Sequence, residues 1–346
     1  MNLHTTVFDP HKASESEWVV LNTFQNRMRA EQWPDDPPRE IKETIRNLCS
    51  LPPFVDLHFW VVWRVDGSEI VATANAVIWR TDHNKHLAQF DISVLPEMRR
   101  QRIAKRLLEL VADVAHKENR RLLLASTDSV VPAGEAFMKR LGGHMGLAFH
   151  TNQLDLADLN RDLMRQWQER AQEQASGFEL GVWEGPYPEE DLEAIVTMKE
   201  VMNTAPRDTL EVEDFKWTPE QLRQIEATLA QRKTERWTMY TRHVETGELA
   251  GYTEVLWNSN QPETLIQEDT GVFPEYRNRG LGRWLKSAMI EKILRDRSQV
   301  KRVRTGNATS NAAMLKINHE IGFKPYKSQS VWQVELDRVL EYLESK

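Results

Sequence analysis

Cysteine is nearly absent from this sequence, which has Cys49 as its one cysteine among 346 residues. A single cysteine excludes an intrachain disulfide and is typical of a reducing compartment, so we expect a cytoplasmic protein. No apolar run is long enough to cross a bilayer, and the N-terminus has no basic-then-apolar signal pattern, so we expect no membrane contact. A surplus of positive charge is missing as well, since the net charge is −7, and this argues against nucleic acid as a partner.

Length and composition predict a globular protein of two domains, present as a monomer or homodimer. The 346 residues exceed what one hydrophobic core usually supports, whereas half of them, about 170, suffice for a core of their own. A polar stretch with a helical pattern and without proline or glycine covers residues 155–176. We therefore predict an N-terminal domain at 1–154, a helical linker at 155–176 and a C-terminal domain at 177–346.

The clearest pattern is a phrase that occurs twice. Residues 94–107 read VLPEMRRQRIAKRL and residues 272–285 read VFPEYRNRGLGRWL, with five of fourteen positions identical. Two pairs of glycines keep nearly the same spacing along the chain: Gly67 with Gly247, and Gly142 with Gly322. A repeat that holds its register over three landmarks predicts two copies of one fold, each with a β-hairpin around its first glycine.

The second copy of the phrase contains a glycine-rich turn, Arg277-Asn-Arg-Gly280-Leu-Gly282, where a strand runs into a helix. The N–H groups of a first helical turn have no helical partner, and the helix dipole adds positive charge there, so such a turn favours a phosphate group. The alternative is an ordinary helix N-terminus that contains glycine and binds no ligand, because short glycine motifs recur by chance. The first copy has Arg102 and Ala104 in place of the two glycines.

Downstream of the glycine-rich turn, residues 305–323 form a strand end, a polar turn, a short helix and a Gly-Phe exit. This order resembles the GNAT superfamily of acyl-CoA-dependent N-acetyltransferases, closely over residues 268–334 and more weakly over the rest of the second half. The resemblance implies an α+β fold of three layers, with two tandem domains whose mixed, mostly antiparallel sheets are flanked by helices. The tandem arrangement is similar to that of mycothiol synthase and its relatives, in which one domain carries the chemistry.

The resemblance also implies acetyl-CoA as co-substrate, with its pyrophosphate on the amides of the turn, and no metal. In the family, the strand before the turn pairs with the pantetheine arm, and an asparagine at the start of the later helix binds the amides of that arm. Carried onto this sequence, the cofactor-binding residues are Thr270, Gly271, Val272, Arg277, Asn278, Arg279, Gly280, Leu281, Gly282, Arg283, Asn307, Asn311 and Asn318. For Asn311, the role of helix N-cap is an equally good interpretation.

An amine that attacks a thioester must lose a proton, so the site needs a base. Glu268 and Asp269 lie on the strand before the turn, and Glu254 lies on the preceding hairpin. We predict that one of these three carboxylates accepts the proton, directly or through water. The alternative is that exposed carboxylates flank a strand end for solubility. The negative net charge is also compatible with an amine as acceptor.

The sequence departs from the family pattern at the proton donor, where a tyrosine usually stands seven residues after the helix-opening asparagine. Asn318 occupies that place, and an amide cannot deliver a proton as a phenol can. Tyr326 is a candidate replacement.

The first half departs further from the pattern. Val131-Pro132 replaces the asparagine, and the Arg102 side chain is expected to crowd its turn, although Asp91 matches Asp269. We therefore expect a first domain that has lost turnover, and its binding of CoA stays open.

These features favour an acetyl-CoA-dependent N-acetyltransferase that moves an acetyl group to a primary amine of a small molecule. The expected route is direct attack in a ternary complex, with the chemistry in the C-terminal domain. Two other classes remain: a non-catalytic acyl-CoA-binding or regulatory protein, and a transferase of another acyl group or to a hydroxyl or thiol acceptor. The loops around 203–217 and 257–266 carry no pattern that identifies the acceptor.

Overall fold

A computed structural model describes residues 3–345 of the chain, which divide into two compact units. Within these residues, unit 1 comprises everything up to Ala148, Asp208–Glu213 and everything from Ser328 onward. Unit 2 comprises Phe149–Arg207 and Asp214–Lys327.

The secondary structure repeats once along the chain. The strands, numbered in chain order, are β1 (Leu3–Val7), β2 (Val55–Arg64), β3 (Ile70–Trp79), β4 (Leu87–Val94), β5 (Leu122–Asp128), β6 (His144–Asp155), β7 (Phe178–Glu184), β8 (Thr234–His243), β9 (Leu249–Asn258), β10 (Thr264–Val272), β11 (Arg302–Ala308) and β12 (Lys324–Glu335). The helices are α1 (Glu15–Gln32), α2 (Ile41–Cys49), α3 (Ile103–Lys117), α4 (Pro132–Arg140), α5 (Arg161–Gln174), α6 (Leu192–Lys199), α7 (Pro219–Gln231), α8 (Leu281–Asp296), α9 (Ala312–Ile321) and α10 (Leu336–Glu344).

The two units have the same strand order. Unit 1 has β1-β2-β3-β4-β5-β12, and unit 2 has β7-β8-β9-β10-β11-β6. In each unit one pair is parallel, β4 with β5 and β10 with β11, and the other pairs recorded are antiparallel. Gly67 and Gly247 both have positive φ in the turns of the β2–β3 and β8–β9 hairpins. The predicted fold class, two mixed and mostly antiparallel α+β domains in tandem, is confirmed.

The last strand of each sheet comes from the other half of the sequence. In unit 1, β5 pairs with β12 from Asp128–Gln329 to Leu122–Glu335. In unit 2, β11 pairs with β6 from Ala308–Phe149 to Arg302–Asp155. The two halves of the sequence have therefore exchanged their final strands.

This exchange moves the unit boundaries away from those that the sequence predicted at 154 and 177. The C-terminal helix α10, placed by the sequence in the second domain, packs Leu336 and Val339 into the core of unit 1. The predicted linker contains α5, which packs Met164 and Trp167 into the core of unit 2. It is thus a structural layer of unit 2, because its apolar face lies on the sheet and on α8.

Two separate cores cover the two faces of the unit 2 sheet. On one face, α5 and α8 pack on Val255, Leu265 and Val303. On the other face, α6 and α7 pack on Leu249 and Tyr252. Because side chains alternate between the two faces along a strand, the spacing of a residue from these core residues shows on which face of the sheet its side chain lies.

Candidate active site

The parallel strands of unit 2 separate partway along their length. β10 pairs with β11 from Thr264–Arg302 to Gln267–Thr305, and no further pair is recorded among the described residues. β10 nevertheless continues to Val272 and β11 to Ala308. Thr270, Gly271 and Val272 pair on their other side with β9, so an extended ligand could pair with their edge toward β11.

A β-bulge marks the point at which the strands part. The register of β10 against β9 runs through Gln267–Val255 and resumes at Thr270–Thr253, so Glu268 and Asp269 share one position in the ladder. A bulge of this kind re-aims side chains and is common next to active sites. In unit 1 the matching β4–β3 register is continuous from Gln89 to Val94. The bulge therefore distinguishes the two otherwise matching strands.

The bulge brings both of its carboxylates toward the face covered by α6 and α7. Asp269 accepts a hydrogen bond from the hydroxyl of Tyr252 at 2.8 Å. Burial raises the pKa of Asp269, and the charge of Lys199 opposes that rise. The Glu268 side chain is exposed to solvent, while neighbouring protein removes part of its hydration. This partial burial and the charges of Asp269 and Glu254 raise the pKa of Glu268 to about 7.

Glu254 lies in the same cluster but is closed off. Its carboxylate accepts hydrogen bonds from the hydroxyls of Tyr187 and Thr238, both at 2.7 Å, and pairs with Lys199 Nζ at 3.3 Å. Burial alone would raise the pKa of Glu254, but Lys199 and Arg236 hold it below its ordinary value. A buried, ionised and fully bonded carboxylate is a poor proton acceptor. Glu254 is therefore the least available proton acceptor of the three carboxylates.

Lys199 was missed by the sequence analysis. It lies at the end of α6 with Ile195 and Met198, all of them buried, and its Nζ stands 4.9 Å from the ring centre of Tyr252. Although burial alone would lower its pKa, the charge of Glu254 raises the pKa of Lys199 above its ordinary value. The sequence did contain a signal for this residue, because a lysine lies on the apolar side of a short helix. Charged residues are almost never buried without a partner, so a buried partner was to be expected.

The glycine-rich turn provides free backbone donors at the N-terminus of α8. Among the described residues, the N–H groups of residues 278–282 donate no recorded hydrogen bond outside the helix. Asn278 and Gly280 have φ of 63° and 79°, a conformation that aims successive N–H groups at one point. Leu281 is buried and contributes only its backbone. These features fit a phosphate group.

The matching turn of unit 1 has the same backbone shape. Arg100 and Arg102 have φ of 65° and 61°, the conformation of Asn278 and Gly280. The Arg102 side chain is exposed, so the expected crowding of the turn does not occur. Arginine instead carries a backbone penalty there, since a positive φ costs a residue with a Cβ roughly 1–2 kcal/mol.

The arginines around the unit 2 turn mostly have protein partners. Arg277 donates from Nε to the carbonyl of Val272 at 3.0 Å and from Nη2 to Thr204 Oγ1 at 2.8 Å. Arg283 forms an ion pair with Glu320 of α9 at 3.0 Å. These two side chains brace the turn. Arg279 is exposed, with the Phe178 ring 5.8 Å away, and is the better placed to reach an anion.

The three predicted asparagines that follow α8 in the chain have different surroundings. Asn311 caps α9 by accepting from the Met314 N–H at 3.2 Å, so its N-cap role is confirmed. Asn318 is fully buried and donates to Asn307 Oδ1 at 2.7 Å. Asn152 of β6, which the sequence analysis missed, donates to the same oxygen at 3.3 Å. Its signal was hidden because β6 joins unit 2 only through the strand exchange.

Two kinds of feature are absent from the described part of the chain. No helix between residues 3 and 345 is both long and apolar enough to span a membrane. Within the same part of the chain, no group of three or more histidine, cysteine, aspartate or glutamate residues is placed to hold a metal ion.

Comparison with known proteins identifies the family. Residues 18–142 and 198–323 each match the acetyltransferase (GNAT) family, and together they make up most of the chain. The protein therefore belongs to the GNAT acetyltransferase family and carries two copies of its domain. The prediction of a tandem GNAT protein is confirmed, and family membership indicates an acyl-CoA-dependent acyltransferase. A comparison with curated protein sequences gave no match.

Several solved structures share the fold over the whole chain. A tandem GNAT protein from the clavulanic acid biosynthesis pathway is 24% identical, with a TM-score of 0.77 and coverage of 97% of this chain and 99% of that one. A GCN5-related N-acetyltransferase from Sphaerobacter thermophilus is 13% identical, with a TM-score of 0.67 and coverage of 96% of both chains. At these identities the likeness concerns the fold alone.

Proposed function

We propose that this protein transfers an acetyl group from acetyl-CoA to a primary amine of a small molecule, by direct attack within a ternary complex in unit 2. The observation that supports this most directly is the bulge in β10. Glu268 and Asp269 share one position of the ladder there, next to the point where the parallel pairing of β10 with β11 ends, and the matching strand of unit 1 has no bulge.

In this proposal each group has a separate task. The amides of residues 278–282 and the exposed Arg279 hold the pyrophosphate of the donor. The free edge of Thr270, Gly271 and Val272 pairs with its extended arm. Glu268 takes the proton from the attacking amine, because a pKa near 7 keeps a base both available and effective at neutral pH. Asp269, bonded to Tyr252, orients the amine.

Turnover with a panel of amines tests the proposal, with free-thiol release from acetyl-CoA as the readout. Once an amine is found, Glu268→Gln is expected to lower kcat/KM by about 100-fold or more, as for the loss of a general base. The wild-type rate should rise with pH to about 7 and then level, and the variant should lose that rise. Asp91→Asn, in the unbulged strand of unit 1, is the matched control and should leave the rate nearly unchanged.

A non-catalytic acyl-CoA-binding protein is the second candidate, because buried Asn318 stands where a tyrosine donor is expected. Under that function, CoA would bind but no amine in the panel would increase thiol release. Turnover of another acyl-CoA in preference to acetyl-CoA would instead indicate a transferase of another acyl group.

A further inference from the structure

Lys286 of α8 is a buried lysine without a partner. Its side chain is 1% exposed, and its Nζ makes no recorded hydrogen bond or ion pair with any residue between 3 and 345. Its recorded contact is the Phe323 ring, 5.6 Å from Nζ. The corresponding residue of unit 1, 178 positions earlier, is Leu108, which is also fully buried. The fold therefore accepts leucine at this position, and packing alone does not account for lysine.

Lys286 lies on the side of α8 that faces α9. A Cβ on Gly282, one turn earlier, would stand 3.7 Å from Ile317 of α9. Arg283 pairs with Glu320 of α9, and Phe323 follows α9 directly. Because α9 follows β11 in the chain, and β11 is the strand that separates from β10, the α9-facing side of α8 is the side toward that separation.

The elements around Lys286 carry further buried polar atoms without partners. Within the described residues, the Oδ1 atoms of Asn318 and Asn152 are fully buried and accept no hydrogen bond. Asn152 lies two residues from Leu154, and Asn307 lies four residues from Val303, so both asparagines share the sheet face of those two core residues. Buried polar groups are almost always bonded. Two hydrogen-bond acceptors and one donor, Lys286 Nζ, thus have no partner on this side of the sheet, which indicates a ligand with polar atoms.

The glycine-rich turn limits which part of the donor reaches these groups. The phosphate-binding amides end at residue 282, and Lys286 lies about 8 Å along the helix from Leu281, at 1.5 Å per residue. The helix packs on β10, so we expect an arm paired with the free edge of β10 to pass Lys286 after leaving the turn. The carboxylates of the bulge lie on the opposite face of the sheet. Under the proposed function, the groups that would contact the acceptor amine and those that would contact the leaving group therefore lie on different faces of the sheet.

We propose that Lys286 is a catalytic residue of unit 2 that contacts the sulfur of the acyl donor and gives a proton to it as the thioester breaks. This inference rests on the proposed function of unit 2. Burial lowers the pKa of Lys286 to about 7, and no neighbouring charge opposes this effect. Of the charged groups nearby, Arg283 and Glu320 neutralise each other, and Arg304 points to the opposite face, since it alternates with Val303.

The step is balanced in protons. The amine nitrogen forms its bond to the acetyl carbon, the carbon–sulfur bond breaks with its electron pair on sulfur, and the amine proton passes to Glu268. The Lys286 ammonium gives one proton to the sulfur and becomes a neutral amine. A proton then moves from Glu268 to Lys286 through solvent, and the site returns to its starting state.

Binding of CoA itself tests this assignment without knowledge of the acceptor. Full-length wild-type protein, Lys286→Met and Lys286→Arg are titrated with CoA and with desulfo-CoA by calorimetry. The thiolate absorbance of bound CoA is followed against pH. In the wild type, the pKa of the bound thiol should lie about one to three units below that in Lys286→Met, as for a cation near an anion. Lys286→Arg should keep part of this difference.

The outcomes separate the inference from the proposed function. If CoA fails to bind the wild type, the proposed function is wrong. If CoA binds, but Lys286→Met leaves both the thiol pKa and the preference for CoA over desulfo-CoA unchanged, Lys286 does not contact the sulfur. Should Lys286→Met fail to fold, the wild type alone decides: a bound thiol with a pKa above that of free CoA contradicts a nearby ammonium, and one below it supports the assignment.

Discussion

Replacement of Lys286 by leucine is expected to stabilise the protein while removing a group that we assign to the reaction. Burial lowers the pKa of this lysine from 10.5 to about 7, and each pH unit between the two values corresponds to about 1.4 kcal/mol. Below pH 7 both the folded and unfolded states carry the proton, and the full cost of about 5 kcal/mol applies. Leucine avoids this cost, as Leu108 does in unit 1.

The protonation of Lys286 determines how the free energy of unfolding changes with pH. Between pH 7 and about 10, the unfolded chain holds a proton on Lys286 that the folded chain has lost, so wild-type stability rises with pH. The stability advantage of Lys286→Leu should therefore be largest at pH 7 and shrink toward pH 10. Urea unfolding followed by tryptophan fluorescence at several pH values measures it.

Lys292→Leu is the matched control for this experiment. Lys292 is also buried, but it pairs with Glu184 at 2.6 Å and Asp296 at 2.8 Å, and its pKa is raised. Its loss should destabilise the protein at neutral pH. If Lys286→Leu is no more stable than the wild type at pH 7, or if its advantage does not change with pH, the lysine is not an unpaired buried base and the reasoning fails.

Three further predictions follow from the same structure. Lys199→Met should lower the free energy of unfolding by about 3 kcal/mol or more, because Glu254 stays buried with its cation removed, and Lys199→Met combined with Glu254→Gln should recover part of this loss in urea unfolding. Gly280→Trp should weaken CoA binding by about tenfold, or ~1.4 kcal/mol, in calorimetry, whereas Arg102→Trp in unit 1 should not, and equal affinities would contradict a phosphate site at Gly280. A fragment of residues 1–154 should show no cooperative thermal transition by circular dichroism, because it lacks β12, and a sharp transition would contradict the strand exchange.

Much of the fold could be predicted from the sequence because its signals are local. The repeated Val-x-Pro-Glu-x-Arg phrase, the turn glycines Gly67 and Gly247, and the Asn311 cap each depend on a few neighbouring residues. The strand exchange could not be predicted, since a strand pattern shows which residues alternate and not which edge they join. The domain boundaries differed from the structure for that reason alone.

The candidate site was predictable only in part. The sequence placed Glu254, Glu268 and Asp269 in one region, and the structure does bring them together. The sequence could not show that Glu254 is paired with a buried lysine and is therefore unavailable as a base. Its partner, Lys199, lies 55 positions earlier on another element. The partners of Asn318 and the isolation of Lys286 were equally hidden, since both depend on elements that meet only in the folded sheet.

The exchange of β6 and β12 also constrains how the chain reaches its native state during synthesis. β5 emerges from the ribosome about 200 residues before β12, which at roughly 5–20 residues per second means a delay of about 10–40 s. Throughout that time the Leu122–Asp128 edge lacks its neighbour, and an open strand edge is a site for wrong pairing. The first unit therefore cannot be completed until β12 has been made, whereas all six strands of the second unit are present once β11 has been made, so the second unit has its full set of strands before the first.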